Sequence, residues 1–417
     1  MDPQKKILLV ANSKAELNHL LNFSKCIDPG FFSISTFHQE YFPTGEGSPS
    51  CPESVKTGAL GLMKKVKELF AGNPVVLLFR QYLYFQRQVR EVSRVIRERQ
   101  PDIILLGTDV AYRSLFVKKC CPKRIKVLVS PYSLCNHEEM IFSIQQKGVQ
   151  KSGTFIERFF FSRWFRRYDN GYFECLSTCP KFIQVLLGVQ PPNPWVICGG
   201  RSDLVLVPNR FEFDYYEKSG IDAGKLAVYS SRPFNQIPAR GGPKDFILWS
   251  VPPDHLSNDL FPSHVDMINW HLDFFRHINY PVLISPHPRL QPSLLDPSKF
   301  GSNMSMDRSS INDSIERCRV LIASQSATIR YALQKGKPVI NFKIYNLPYT
   351  EYDQAEPVAN VTTKEEFGKA VGDLLLGRNE SNSTQSKDSV YFSSTDGGNE
   401  LNCLLTKLVD HPIGSLE

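Results

Sequence analysis

The chain has 417 residues, of which 41% are hydrophobic and 22% charged, with a formal net charge of +7. That composition excludes a disordered or collagen-like chain, and the length exceeds one typical domain and points to two. The modest positive charge permits an anionic substrate, a membrane surface or nucleic acid, and requires none of them.

The opening MDPQKKILLVANS carries the apolar run Ile7–Ala11. It is too short for the hydrophobic region of a signal peptide and reads as a first strand. No apolar run approaches the roughly 18 residues of a membrane span. The ten cysteines show no C-x-x-C spacing, which argues against zinc and for buried, reduced thiols. A cytoplasmic protein is expected, soluble or at the inner face of the membrane.

In chain order, residues 6–12 read as a strand buried on both faces, because its centre is continuously apolar. Residues 15–23 follow with helical spacing. This βα start lacks glycines, so it is no dinucleotide fingerprint. A second strand is expected over 31–36, a Gly/Ser/Pro loop over 44–52 and a helix over 55–70. Residues 86–99 form a charged amphipathic helix, with Val89, Val92, Val95 and Ile96 on one face and arginines elsewhere. The arginines read as a solvated face in preference to a nucleic-acid surface. Strands at 103–106 and 126–129 end in Gly107-Thr108-Asp109 and Ser130-Pro131. This alternation of strands and helices predicts a doubly wound α/β domain.

Past the second of these strands lies Asn136-His137-Glu138-Glu139. Together with Asp109, the residues His137, Glu138 and Glu139 are the candidates for a general base on an acceptor hydroxyl. The bland alternative is a surface loop with helix-capping carboxylates. Residues 155–168 interleave Phe155, Ile156, Phe159, Phe160, Phe161, Trp164 and Phe165 with four arginines. The aromatics wrap all sides of a helix, which favours a buried helix with snorkelling arginines over a membrane-interface helix with two distinct faces. Stacking on single-stranded nucleic acid is a third alternative, and no RNA-binding motif accompanies it. A helix at 182–187, a strand at 204–207, a helix at 211–218 and a strand at 226–228 lead to a Pro/Gly-dense linker at 232–244. The expected domains are 1–240 and 241–378, then a flexible Ser/Asn/Gly-rich loop at 379–398 and a C-terminal helix and tail at 399–417.

Beyond the linker a strand-then-loop arrangement occurs three times, in FILWSVPPDH, PVLISPHPRL and VLIASQSATIRYALQKGKPVINF. Ligands bind at the carboxyl ends of strands in an open parallel sheet. The pattern therefore places Ser250, His287, Arg289, Ser324 and Ser326 at one prospective site. The third segment continues into a helix, where Ser324, Ser326, Ala327 and the amides beside them suit an anion. Helix capping would use the same geometry. Tyr345 and Asn346, past the next strand, are further candidates for lining the pocket. No D-x-D, His triad or carboxylate cluster suggests a metal, and no cofactor is expected.

The pieces Pro286-His287-Pro288-Arg289, Ser324-Gln325-Ser326-Ala327 and Gly336-Lys337-Pro338-Val339-Ile340 resemble the C-terminal domain of GT-B glycosyltransferases. They are most similar to bacterial surface-polysaccharide transferases and to sialyltransferases with an HP motif and a downstream Ser motif. A more distant similarity is to nucleotide-sugar 2-epimerases. The resemblance implies two Rossmann-like domains facing each other across a cleft. A CMP- or UDP-linked nucleotide-sugar donor would bind in the C-terminal half, and a glycan or lipid-linked acceptor in the N-terminal half. Related sialyltransferases place an acidic pair followed by Gly as the base, whereas here Met140 follows Glu138-Glu139. The 2-epimerases carry D-S-G-G followed by paired glutamates, and here Arg330-Tyr331 stands in place of the carboxylates. The expected function is a metal-independent glycosyltransferase, with membrane contact through 155–168 a further option and no nucleic-acid partner. The alternatives are a non-catalytic protein of the same fold that binds nucleotide sugars or glycans and, ranked below it, a nucleotide-sugar epimerase.

Overall fold

A computed structural model describes residues 4–38, 74–111, 113–132, 153–168, 171–175, 177, 179–208, 210–229, 246–252, 260–287, 290–326, 328–335, 337–345, 352, 358–375 and 397–410. The first half builds a six-stranded parallel sheet from β1 (Lys5–Ala11), β2 (Phe32–His38), β3 (Ile103–Leu106), β4 (Lys126–Val129), β7 (Leu204–Val207) and β8 (Leu226–Val228). The strand order is β2-β1-β3-β4-β7-β8. A small antiparallel ribbon of β5 (Phe165–Tyr168) and β6 (Gly171–Glu174) stands apart from it. The central strands are short runs of Ile, Leu and Val, buried on both faces by helices, which is why they read as continuous rather than alternating apolar segments.

The helices of this half are α1 (Lys14–Ser24), α2 (Pro74–Arg99), α3 (Ser114–Cys120), α4 (Phe155–Phe160), α5 (Lys181–Leu187) and α6 (Arg210–Lys218). The α2 helix begins a dozen residues before the helix expected over 86–99, since an apolar stretch continues its pattern upstream. Leu78, Tyr82, Phe85 and Val89 line one side of α2 and pack on Leu115, Phe116, Ile183 and Leu187.

The second half holds another six-stranded parallel sheet: β9 (Ile247–Val251), β10 (Val282–Pro286), β11 (Met304–Met306), β12 (Val320–Ala323), β13 (Val339–Phe342) and β14 (Val358–Val361). Its order is β11-β10-β9-β12-β13-β14. The helices α7 (His264–Arg276), α8 (Ile311–Arg317), α9 (Thr328–Gln334) and α10 (Lys364–Leu375) belong to this half. One face of the sheet carries an aromatic core: Trp249 stacks on His271 at 4.8 Å, and Phe342 stacks on Phe367 at 4.8 Å. Burial holds His271 neutral, with its pKa lowered to about 4.

The last helix, α11 (Gly397–Asp410), does not join the second half. Its Leu401, Leu405 and Leu408 are buried in the core of the first sheet with Ile7, Leu9, Phe23 and Tyr229. The amide of Asp28 donates to the Asn402 side chain at 3.0 Å. The chain thus leaves the first sheet, builds the second and returns.

The aromatic segment over 155–168 is not one helix. It is α4, a single 3-10 turn over Ser162–Trp164, and β5. Thr154 caps α4 in a reciprocal capping box with Glu157. Trp164 and Phe165 are buried, whereas Phe155, Ile156, Phe159 and Phe160 are 67–76% exposed. The buried-helix expectation therefore fails: the helical part, α4, is exposed, and the buried aromatics lie in the turn and strand after it. Six residues give less than two turns, too few for the aromatics to wrap a helix.

Candidate functional site

In the second sheet the strands in chain order take positions 3-2-1-4-5-6, so β9, its first strand, lies between β10 and β12. Chain direction across the sheet reverses at β9/β12, and such a switch point opens a crevice at the strands' carboxyl ends. The register fixes what surrounds it. Ser285 pairs with Ser250, and Pro286 with Val251. On the other side Ile322 pairs with Trp249. His287, the residue after β10, donates its amide to the Val251 carbonyl at 3.1 Å, and Ser324 follows the end of β12. Ser250, His287 and Ser324 therefore stand at the ends of three adjacent strands, with the outer two about 10 Å apart at ordinary strand spacing.

The turn from β12 into α9 is unusual. Gln325 has φ 47°, a left-handed conformation uncommon outside glycine. Its amide donates to the Asn341 side chain at 2.8 Å, and Asn341 in turn donates to Asn360. The Ser326 hydroxyl accepts from the Thr328 amide and hydroxyl at 3.3 and 3.0 Å, so it acts as a local cap. Arg289, Ala327 and Asn346 lie outside the described residues. Tyr345 is 4% exposed and packs in the aromatic core rather than facing solvent.

The first sheet has the order 2-1-3-4-5-6 in its own strands, with the switch between β1 and β3. Here the carboxyl ends are tied together by Glu16. Its Oε2 accepts from the Asn12 amide at 2.7 Å and from Asn12 Nδ2 at 3.1 Å, and its Oε1 accepts from the Gly107 amide at 3.1 Å. A Cβ on Gly107 would stand 2.4 Å from Glu16 Cγ, so only glycine admits this approach. Burial raises the Glu16 pKa to about 7 against the opposing pull of these donors. Asn12 Oδ1 also accepts from the Arg113 amide at 3.2 Å.

Asp109 is buried near the same edge. Its Oδ1 accepts from the Gly200 amide at 2.8 Å and its Oδ2 from the Ser202 amide at 2.9 Å. Burial raises its pKa over the pull of those donors. Both oxygens hold the loop before β7, so Asp109 is a structural anchor rather than the free base its sequence position suggested. His137, Glu138 and Glu139 lie outside the described residues.

The two halves meet at Arg330 of α9. Its guanidinium forms a bidentate pair with Glu212 of α6, Nε–Oε1 and Nη2–Oε2 both at 2.5 Å, and donates through Nη1 to the Pro131 carbonyl at 2.9 Å. Both side chains are buried. Ser130, beside Pro131, shares a hydrogen bond of 3.0 Å with His19 Nε2. Burial, then the Arg330 charge, push the His19 pKa down to about 3, so this half-buried ring is neutral. The end of β4 thus lies against the helix that follows the Ser motif, and the strand-end regions of the two sheets adjoin.

Glu16, His19, Glu212 and Arg330 were not among the sequence candidates. Ser13-x-x-Glu16 has the spacing of a capping box, a signal that would have located Glu16 but not its turn toward Asn12 and Gly107. Nothing local pairs Glu212 with Arg330, which are 118 residues apart. Among the described residues no group of His, Cys, Asp and Glu could hold a metal ion.

No protein-family model matches the chain, and no curated protein matches it in sequence. In three dimensions it is similar to the calicheamicin glycosyltransferase CalG4, with a TM-score of 0.53, 12% identity, and 98% of this chain and 99% of that one covered. It is similar to the glycosyltransferase of kitacinnamycin, with a TM-score of 0.54, 10% identity, and 98% and 100% covered. It is also similar to the UDP-GlcNAc 2-epimerase of Methanocaldococcus jannaschii in complex with UDP-GlcNAc and UDP, with a TM-score of 0.51, 12% identity, and 96% and 99% covered. The fold is the two-domain, Rossmann-type α/β architecture common to GT-B glycosyltransferases and these epimerases.

Proposed function

We propose that this protein transfers a sugar from a nucleotide-sugar donor to an acceptor hydroxyl, with the donor at the carboxyl ends of β9, β10 and β12. The observation that carries this is the switch point of the second sheet, where β9, β10 and β12 run side by side and end near Ser250, His287 and Ser324. Departure of the nucleotide builds negative charge on phosphate oxygens. The Ser250 and Ser324 hydroxyls and the His287 imidazole would stabilise that charge without a metal. Arg289, Ala327 and Asn346 are proposed to complete the donor pocket, and His137, Glu138 or Glu139 to supply the base. The acceptor is a glycan or a lipid-linked glycan, and the exposed aromatics of α4 are proposed to rest in a membrane interface. No helix among the described residues is long and apolar enough to cross a membrane.

A second function is 2-epimerisation of the bound sugar, since the fold serves both activities. Against it, Arg330 is committed to Glu212 and cannot exchange protons with a sugar carbon.

The test is incubation with UDP-, CMP- and GDP-sugars, following nucleotide binding, nucleotide release onto acceptors, and deuterium uptake from D2O into the sugar. Release without deuterium supports transfer, and deuterium at a ring carbon supports epimerisation. Binding with neither would leave a non-catalytic sugar-nucleotide binder. His287→Ala should weaken donor binding about tenfold, the scale of a lost charge-assisted hydrogen bond. Unchanged affinity removes His287 from the site.

A further inference from the structure

The N-terminal half carries a groove of about 480 Å³ lined by Tyr84, Arg87, Gln88, Arg90, Glu91, Arg94 and Arg113. Among the described residues that line it are four arginines and one carboxylate, Glu91. One of the four, Arg113, is buried, with 11% of its side chain exposed. Its Nε donates to Gln88 at 2.6 Å, its Nη2 faces Glu91 at 3.4 Å, and its guanidinium stands 5.5 Å from the Phe37 ring. Three exposed arginines beside this oriented cation give the groove a positive field that attracts an anion. Arg94 faces the exposed Glu98 at 3.8 Å, a pair of little weight.

The groove lies beside the switch point of the first sheet. Arg113 is bonded through its amide to Asn12, at the carboxyl end of β1, and Phe37 is near the carboxyl end of β2. The α2 helix, with 26 residues, is about 39 Å long, whereas the strands it accompanies span at most about 24 Å. It returns toward the amino end of β3, so its first turns overhang the strands' carboxyl ends. On that overhang Phe79 and Leu83 are 60% and 51% exposed. At 3.6 residues per turn, Phe79, Leu83, Arg87, Arg90 and Arg94 fall within an arc of about 80°, opposite the face that packs on the core. One stripe therefore runs from apolar to cationic along the helix.

We propose that this stripe and groove bind an amphiphilic phosphate: the phosphate among Arg87, Arg90, Arg94 and Arg113, and the hydrocarbon chain along Phe79 and Leu83. This names the acceptor class, a lipid-linked phosphate or diphosphate, and it rests on the transferase function proposed above. A soluble anionic glycan would use the arginines and leave Phe79 and Leu83 without a role. Nucleic acid would likewise depend on the cations alone.

The test is calorimetric titration of the full chain with farnesyl phosphate below its micelle concentration, with farnesol, inorganic phosphate, an oligogalacturonate and single-stranded oligodeoxynucleotide as comparison probes. UDP is titrated on every sample as a separate report on the donor site. Farnesyl phosphate is expected to bind at least tenfold more tightly than any comparison probe. Arg90→Ser with Arg94→Ser, and separately Phe79→Ser with Leu83→Ser, should each weaken it at least tenfold. Absence of farnesyl phosphate binding, equal binding of the oligogalacturonate or the oligonucleotide, or indifference to both double substitutions overturns the proposal. Loss of UDP binding with intact farnesyl phosphate binding supports the groove and counts against the donor site alone.

Discussion

Glu16 ends three hydrogen bonds from Asn12 and Gly107 in a place where burial raises its pKa to about 7. Its folded pKa lies above the unfolded value of 4.5, so its contribution to stability is fully present below 4.5 and is lost as pH rises through 7. Glu16→Gln keeps the shape, places an NH2 against a donor and cannot titrate. The variant should be less stable than the natural protein at pH 5, and the gap should narrow by about 2–3 kcal/mol by pH 8. Urea unfolding at the two pH values checks this, and a constant gap would show that Glu16 does not titrate in this range. At the same scale, Asp109 shows how a strand-end carboxylate with the sequence context of a base becomes an anchor: two amides take both its oxygens.

Among the elements, α11 is the one whose role follows least from its sequence. It is amphipathic, and an amphipathic helix specifies that it has a partner, not which one. Leu405 is 1% exposed in the core of the first sheet. Leu405→Ala should cost about 2–5 kcal/mol, as for other buried leucines. Denaturation followed through Trp164 and Trp195 fluorescence, both residues of the first half, should shift to lower urea; an unchanged midpoint would mean that the helix is not docked in solution. The α4 helix poses the opposite case, with four large apolar side chains and no buried residue. Phe159→Ser with Phe160→Ser should reduce flotation with vesicles containing anionic lipid several-fold. Equal flotation would exclude α4 from membrane contact. For the inner strands of both sheets, location was legible because two-sided burial demands unbroken Ile/Leu/Val runs, whereas the edge strands β11 (Met-Ser-Met) and β14 (Val-Ala-Asn-Val) carry no such run and were not expected. Helix limits were less so: α2 starts at Pro74 although its charge pattern is evident only from Gln86.

For the whole molecule, the pair Arg330–Glu212 joins the helix after the Ser motif to α6 of the other half. Removing one member of a buried pair strands the other charge, at a cost of about 3–5 kcal/mol. Glu212→Ala should therefore destabilise the junction and raise susceptibility to proteolysis at it. Glu212→Leu combined with Arg330→Met should recover most of the loss, because the double change leaves no buried charge. If the double variant is as unstable as Glu212→Ala, packing rather than charge holds the junction. His19 adds acid sensitivity: its pKa is depressed, so its contribution is present above the ordinary value of 6.5 and falls away as pH drops toward 3, when a proton would face Arg330.

The sequence by itself determined the alternation of strands and helices, the parallel sheets and the three strand ends that carry Ser250, His287 and Ser324. These follow from local burial periodicity and from the rule that parallel strands expose their carboxyl-end loops on one side. Tertiary structure alone decided that β9 lies between β10 and β12, that α11 returns to the first sheet, that Tyr345 enters the core and that Glu212 meets Arg330. It also set Arg113 against the arginine stripe of α2. Each of these is a contact between segments distant in the chain. Composition and spacing specify which side chains need a partner, and only the packed chain specifies the partner.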